Sequence, residues 1–443
     1  MRIVLVTACL LLVIMASMTR GLLSPLTRTW NALQSSATTK SSTSSSLSIT
    51  QQQQQAQCRS ERFVSVPTIA NRIHLIVLVH GWMGNPSELG YLQEALEKEA
   101  VQAQEQHSKT FYVVHSAESN DGNTTDGIAA GGSRLAVEIN DIIDDIVQQA
   151  PKDELRKVSL SFVGNSLGGL YARYSLGEIR SLQQPNQQVD AENSIHIQVE
   201  PKVFCTTATP HLGMSQHTYL PLPRPAEYLV ANILQPTGRD LFRYTNLIER
   251  LTTDAAFLSP LQRFHKRIAY ANAYQTDFQV PTTTAAFLSE TDSLHRKLGI
   301  FQENSFVSLT VETPAVDRNQ VQSPESSELP ASSDELAQRL DALGWIKVLC
   351  DVRMALPSIP LPFPFAPATT TTTSDSSSKN EYESSELLRT YASRSNRWHA
   401  PFGHTVLVAN AKNDFYAKLN AAGKPIMDLL AANIVAEIGA DDE

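Results

Sequence analysis

Cysteine is scarce in this chain of 443 residues: only Cys9, Cys58, Cys205 and Cys350 occur, with no paired spacing. That excludes a disulfide framework and offers no zinc motif, so the bland reading holds, of small buried apolar groups or inert thiols. An excess of basic residues is also missing, since the formal net charge is −9. A nucleic-acid binder would normally carry a basic patch or stripe, and none is expected here. No internal repeat is visible, which removes solenoids and propellers. Charge is absent from Ile3 to Met18, and acidic residues are absent from Thr19 to Ser60.

Those last two absences define the leader. The Ile3–Met18 run is shorter than the roughly 20 apolar residues a membrane-spanning helix needs, but it suits a secretory signal. The cleavage pattern around Ala16-Ser17-Met18 is poor, which keeps an uncleaved anchor open for residues 1–20. Residues 21–62 are rich in Ser and Thr and carry Arg28, Lys40 and Arg59. Serine and threonine tracts followed by Gln51 to Gln55 cannot bury enough apolar surface to order themselves, so a low-complexity linker is expected. The secretory pathway is the expected destination. A plastid route through a transit-like leader is the alternative.

What is present is the alternation of an α/β domain, expected over residues 63–443. Hydrophobic residues make up 42% of the chain and charged ones 18%, a globular balance. Ile73 to Val79 is a continuous apolar run, the mark of a parallel strand buried on both faces. Further strands are expected at Phe111–Val114, Val158–Val163, Val203–Cys205 and Arg267–Tyr270, with helices over Glu88–Ala103, Arg134–Gln149 and from Leu170. Leu336 to Arg353 reads as a helix followed by a strand. Residues 301–335 and 357–395 are polar or low in complexity and read as tolerated loop insertions.

Gly164-Asn165-Ser166-Leu167-Gly168 stands between a predicted strand and a predicted helix, the context that makes G-x-S-x-G a nucleophile elbow. Ser166 is the candidate nucleophile. The turn after the first buried strand can aim a main-chain N–H at a developing oxyanion. Trp82 is assigned that role, with Met83 as its neighbour, and the N–H of Leu167 supplies the second donor. His80 reads as a brace for this loop. A serine needs a base and an orienting acid, in the chain order serine, acid, histidine. Asp277, after the strand at Arg267–Ala271, is the preferred acid over Asp240 and Asp254, which read as solvated or capping residues. His404, before Val406-Leu407-Val408, is preferred over His399. His211, His217, His265 and His295 lie outside plausible strand ends.

Taken together, the spaced blocks resemble the serine esterase family of lipase-like α/β-hydrolases. They are LVHGWMGN (Leu78–Asn85), DGIAAGGSRLAVEI (Asp126–Ile139), FVGNSLGGLYARY (Phe162–Tyr174), TTATPHLG (Thr206–Gly213), YANAYQTDFQVPTTTA (Tyr270–Ala285), LGWIKV (Leu343–Val348) and FGHTVLV (Phe402–Val408). The resemblance implies an α/β-hydrolase fold with Ser166, Asp277 and His404 as catalytic residues and Trp82 and Leu167 at the oxyanion hole. It implies hydrolysis of carboxylic esters, lipid esters foremost, with no metal or cofactor. A thioesterase, an acyltransferase or an inactive binding scaffold on the same fold are the alternatives. Thr276-Asp277 replaces the family's usual Asn-Asp, and Asn165 stands where many lipases place histidine. Tyr219 to Leu234 is expected to form a lid or a packed cap helix, with association at a membrane surface. Asn123-Thr124-Thr125 is a glycosylation sequon.

Overall fold

The structure, a computed structural model, describes residues 72–106, 110–149, 156–183, 197–219, 222–273, 276–288, 299–303, 306–315, 332–360 and 397–440. The leader and linker expected over residues 1–62 lie outside the described residues, as do 316–331 and 361–396 of the two insertions. Among the described residues no helix is long and apolar enough to cross a membrane.

One eight-stranded sheet organises the chain, in the order β2-β1-β3-β4-β5-β8-β7-β6. Its parallel part comprises β1 (Arg72–Val79), β2 (Thr110–Ser116), β3 (Arg156–Asn165), β4 (Ile197–Thr207), β5 (Lys266–Asn272) and β8 (Leu343–Asp351). The central β1 shows why its run reads as unbroken apolar. Ile73, Leu75, Val77 and Val79 enter one core, and Ile76 and Leu78 enter the other. Side chains alternate across a strand, so a sheet covered on both faces needs apolar residues at every position.

Helices supply the covers. Helix α1 (Gly90–Gln106) packs Leu92 and Leu96 on one face, beside a C-terminal helix that brings Ile426, Met427, Leu430 and Ile434. Helix α2 (Ile128–Gln148) buries Leu135, Ile139, Ile142 and Ile146 on the other. The spacing of those isoleucines is the helical stripe read from the sequence, though the helix starts earlier, at Ile128. Each fully buried aliphatic side chain contributes about 1.5–3 kcal/mol. This is the α/β-hydrolase fold: a mostly parallel sheet, flanked by helices, with strand-to-helix turns gathered at its carboxyl edge.

The expected loop insertion at 301–335 is corrected in its first half. Strands β6 (Gly299–Glu303) and β7 (Phe306–Ala315) form an antiparallel hairpin, and β7 pairs antiparallel with β8. In sequence, Val307, Leu309 and Val311 alternate with Ser308, Thr310 and Glu312. That period of two marks a strand, and the polar half of the pattern had disguised it. In the second insertion, Ser358–Pro360 (β9) pairs with Arg397–His399 (β10) in a small ribbon.

Candidate active site

Strand β3 ends at Asn165, and helix α3 (Leu167–Ser175) starts two residues later. Ser166 makes the turn between them at φ 53° and ψ −124°, a region costly for any residue with a side chain, at about 1–3 kcal/mol. Its N–H is held by the Thr207 carbonyl at 2.8 Å. The glycines of the motif answer to crowding. A Cβ on Gly168 would stand 2.2 Å from the Val79 carbonyl oxygen, and one on Gly164 2.5 Å from the Gly169 Cα. Ser166 is only 8% exposed.

Asp277 follows β5, and its carboxylate is saturated with donors. Oδ2 accepts from Asn272 Nδ2 and from His404 Nδ1, both at 2.9 Å. Oδ1 accepts the N–H groups of Gln279 and Val280, both at 2.8 Å. A main-chain clamp brings the histidine there: Phe402 bridges Asp277, Phe278 N–H donates to the Pro401 carbonyl at 3.0 Å, and Gly403 N–H donates to that of Thr276 at 2.8 Å. His404 itself lies in a short helix, Gly403–Leu407, so Val406-Leu407-Val408 is helical turn and not strand. Both side chains are shut away, Asp277 at 1% and His404 at 5% exposure.

A carboxylate on Nδ1 fixes the tautomer, leaving the Nε2 lone pair as the basic site. Burial pulls the His404 pKa down, but the charge and hydrogen bond of Asp277, with the charge of Glu88, carry it above its ordinary value. Ser166 shares this carboxyl edge, but no hydrogen bond joins its hydroxyl to His404 among the described residues.

The turn after β1 lies directly on the serine, since a Cβ on Gly81 would stand 2.9 Å from the Ser166 Cβ. Its N–H groups are already sorted. Gly81 donates to Glu88 Oε1 at 2.9 Å and Met83 to Thr124 Oγ1 at 3.0 Å. The main-chain N–H of Trp82 has no acceptor among the described residues, and that of Leu167, opening α3, has none within its helix. Of the two neighbours weighed from sequence, Trp82 is therefore the one with a donor to offer. His80 is buried, with Nδ1 on the Gly81 carbonyl at 3.1 Å, as a brace would be.

The other candidates are engaged elsewhere. Asp240 receives the N–H of Ile128 at the start of α2, and Asp254 receives Arg250. His211 is wholly buried beside Thr206, and its pKa is pushed well down by burial and by the charges of Arg173 and Lys347. His217 contacts Thr283 and Ser333, and His265 faces Glu437. His399 lies in the β9–β10 ribbon, and His295 is outside the described residues. Sequence reading missed Asn272 and Glu88. Asn272 lay inside the YANAY block with no motif of its own, and Glu88 read as an ordinary helix-starting acid. Among the described residues no cluster of histidine, cysteine and acidic side chains is arranged to hold a metal ion.

Residues 70–290 match the family described as "Putative serine esterase". The match includes Ser166 and Asp277 and stops short of His404. Two proteins of Saccharomyces cerevisiae are similar in sequence. "Putative lipase ROG1" is 29% identical over 266 residues, 58% of this chain and 35% of that protein. "Putative lipase YDL109C" is 30% identical over 240 residues, 52% of this chain and 33% of that protein. The chain thus spans about a third of the length of the curated relatives it matches. Among solved structures, the peroxisomal alpha-beta-hydrolase Lpx1 of Saccharomyces cerevisiae is 13% identical with a TM-score of 0.30, over 50% of this chain and 68% of that one. At that score the likeness carries no argument.

Proposed function

The chain belongs over residues 70–290 to the "Putative serine esterase" family, and from that premise we propose that it hydrolyses carboxylic esters with Ser166 as nucleophile, His404 as base and Asp277 as orienting acid. The observation that carries this reading is the 2.9 Å contact of His404 Nδ1 with Asp277 Oδ2, made across 127 residues of sequence and at the sheet edge that bears the elbow. His404 lies beyond the family match, so its role rests on geometry.

In the proposed reaction His404 Nε2 takes the Ser166 proton as the serine oxygen attacks the ester carbonyl. Nucleophile and base are often not yet hydrogen-bonded in a free enzyme and close on the substrate. Asp277 stabilises the imidazolium and keeps its ring in place. The N–H groups of Trp82 and Leu167 receive the oxyanion, and each such donor is worth about 3–4 kcal/mol of barrier. The imidazolium then protonates the leaving alcohol. Water, activated by the same base, releases the acid and restores the serine.

Lipid esters are the proposed substrate class. Met83, next to Trp82, is 39% exposed and Phe402, two residues before His404, is 46% exposed. Helix α4 (Arg224–Ile233), in the segment expected to form a lid or cap, exposes Tyr228, Leu229 and Ile233 while Glu227 anchors it to Ser215 and Gln216. Exposed apolar side chains next to Trp82 and near His404 in the chain suit an acyl chain, and those of α4 suit association with a lipid surface. The test is turnover of p-nitrophenyl esters from acetate to palmitate, with labelling by a fluorophosphonate. The expected result is labelling at Ser166 and a preference for longer chains. An unlabelled, inactive chain would return the fold to the scaffold reading.

A further inference from the structure

Glu88 is a carboxylate at this edge that the mechanism above leaves unused. It sits in the short turn Pro86–Leu89 and is 5% exposed. Oε1 accepts two donors, the N–H of Gly81 at 2.9 Å and Asn165 Nδ2 at 2.6 Å. On its far side the Asn165 amide is held by the Thr207 hydroxyl, which donates to Oδ1 at 2.9 Å. The amide therefore has one workable orientation, because flipping it would turn its oxygen toward a carboxylate. The carboxylate also presses on the turn itself, since a Cβ on Gly84 would stand 2.2 Å from Oε2. Finally, the Glu88 carbonyl accepts the N–H of Ala411 at 3.1 Å, seven residues beyond His404.

One residue thus ties together three segments, those that carry Trp82, Ser166 and His404. Burying a carboxylate is expensive unless donors satisfy it, and a neutral amide would serve Gly81 and Asn165 at lower cost. What the acid adds is a stronger hydrogen bond to each donor.

Resting on the hydrolase reading, we propose that Glu88 is a positioning residue of the site: it clamps the Gly81–Trp82 turn to the elbow through Asn165. Two substitutions in the full chain test the clamp. Glu88→Gln keeps an acceptor for both donors and removes the charge. Its kcat stays within about tenfold of the unaltered chain. Glu88→Ala frees the turn as well, and its kcat falls about 100-fold with KM nearly constant, the signature of a displaced oxyanion donor. An unchanged kcat in a folded Glu88→Ala chain overturns the proposal, as does a loss of about 100-fold in Glu88→Gln whether or not Glu88→Ala folds. So does an equal loss in both variants, which assigns the residue to folding alone. If the unaltered chain neither turns over ester nor takes the fluorophosphonate, the hydrolase reading falls and this one with it. An active chain whose kcat is indifferent to Glu88→Ala sinks only the role of Glu88.

Discussion

Two histidine–carboxylate pairs lie in this sheet at the same distance. His404 Nδ1 meets Asp277 Oδ2 at 2.9 Å, and His115 Nε2 meets Glu138 Oε1 at 2.9 Å. Both carboxylates also take two loop N–H groups, those of Gln279 and Val280 in one case and of Glu118 and Ser119 in the other. The difference lies in what remains. Asp277 takes Nδ1 and leaves Nε2, the nitrogen that projects from the ring tip. Glu138 takes Nε2 and leaves Nδ1, the nitrogen crowded by its own main chain. The hydroxyl beside His115, that of Ser116, donates to Gln93. A histidine on a carboxylate is therefore no signature of catalysis by itself; the role proposed for His404 rests also on its free nitrogen and on the elbow at the same edge.

The comparison breaks first at the serine. Ser166→Ala should cost about 10⁶-fold in kcat and all fluorophosphonate labelling, with the thermal midpoint nearly unchanged, since alanine keeps the same strained backbone. Residual labelling in that variant would move the nucleophile elsewhere. Next, Asp277→Asn should cost about 10⁴-fold in kcat by upsetting the tautomer. Glu138→Gln should leave kcat within about twofold and instead lose on the order of 2–3 kcal/mol of stability, read by denaturant unfolding at pH 7. Equal kinetic losses in these two variants would erase the distinction.

The pairs should also part company with pH. Burial pushes the Glu138 carboxyl up, but the hydrogen bond and charge of His115, with the bonds from Ser119 and Glu118, hold it at about 2 against an ordinary 4.5. A depressed acid stabilises the fold above pH 4.5, and that contribution is lost as the pH falls from 4.5 toward 2. His404 is raised above 6.5, so its pairing contributes fully below 6.5 and is lost as the pH rises through its folded pKa. The acid limb of kcat/KM should accordingly lie above pH 6.5, because the base must be neutral. A limb well below that value would show that another group titrates. The smallest effect among residues at the site is expected at Thr124→Val, which frees the Met83 N–H and loosens the turn, costing about threefold in kcat by analogy with a weakened donor.

The candidate site was more legible in the sequence than parts of the sheet. An elbow is written in contiguous residues because crowding demands glycine at fixed places, and Ser166 is found that way. Asp277 and His404 required only chain order and the ends of strands. The antiparallel hairpin of Gly299–Glu303 and Phe306–Ala315 escaped notice because polar residues interleave the apolar ones of its second strand and because it lies at a sheet edge. Glu88 escaped for another reason, since its side-chain partner Asn165 lies 77 residues away, and Asn272 because no local pattern marks an amide five residues before an acid as its donor. The pair at His115 and Glu138 could not have been told from a catalytic one without knowing which nitrogen was taken.

The long span between Asp277 and His404 carries a consequence for how this molecule is made. Contacts that close 127 residues of chain form late, since their entropy cost is met only after the intervening strands have docked. Strand β8 must join β5, with the β6–β7 hairpin on its far side, in a sheet into which the segment bearing His404 then settles. If the proposed function holds, recovery of esterase activity during refolding should therefore trail the return of helical signal, and a newly made chain should acquire its reactivity only near the end of its assembly.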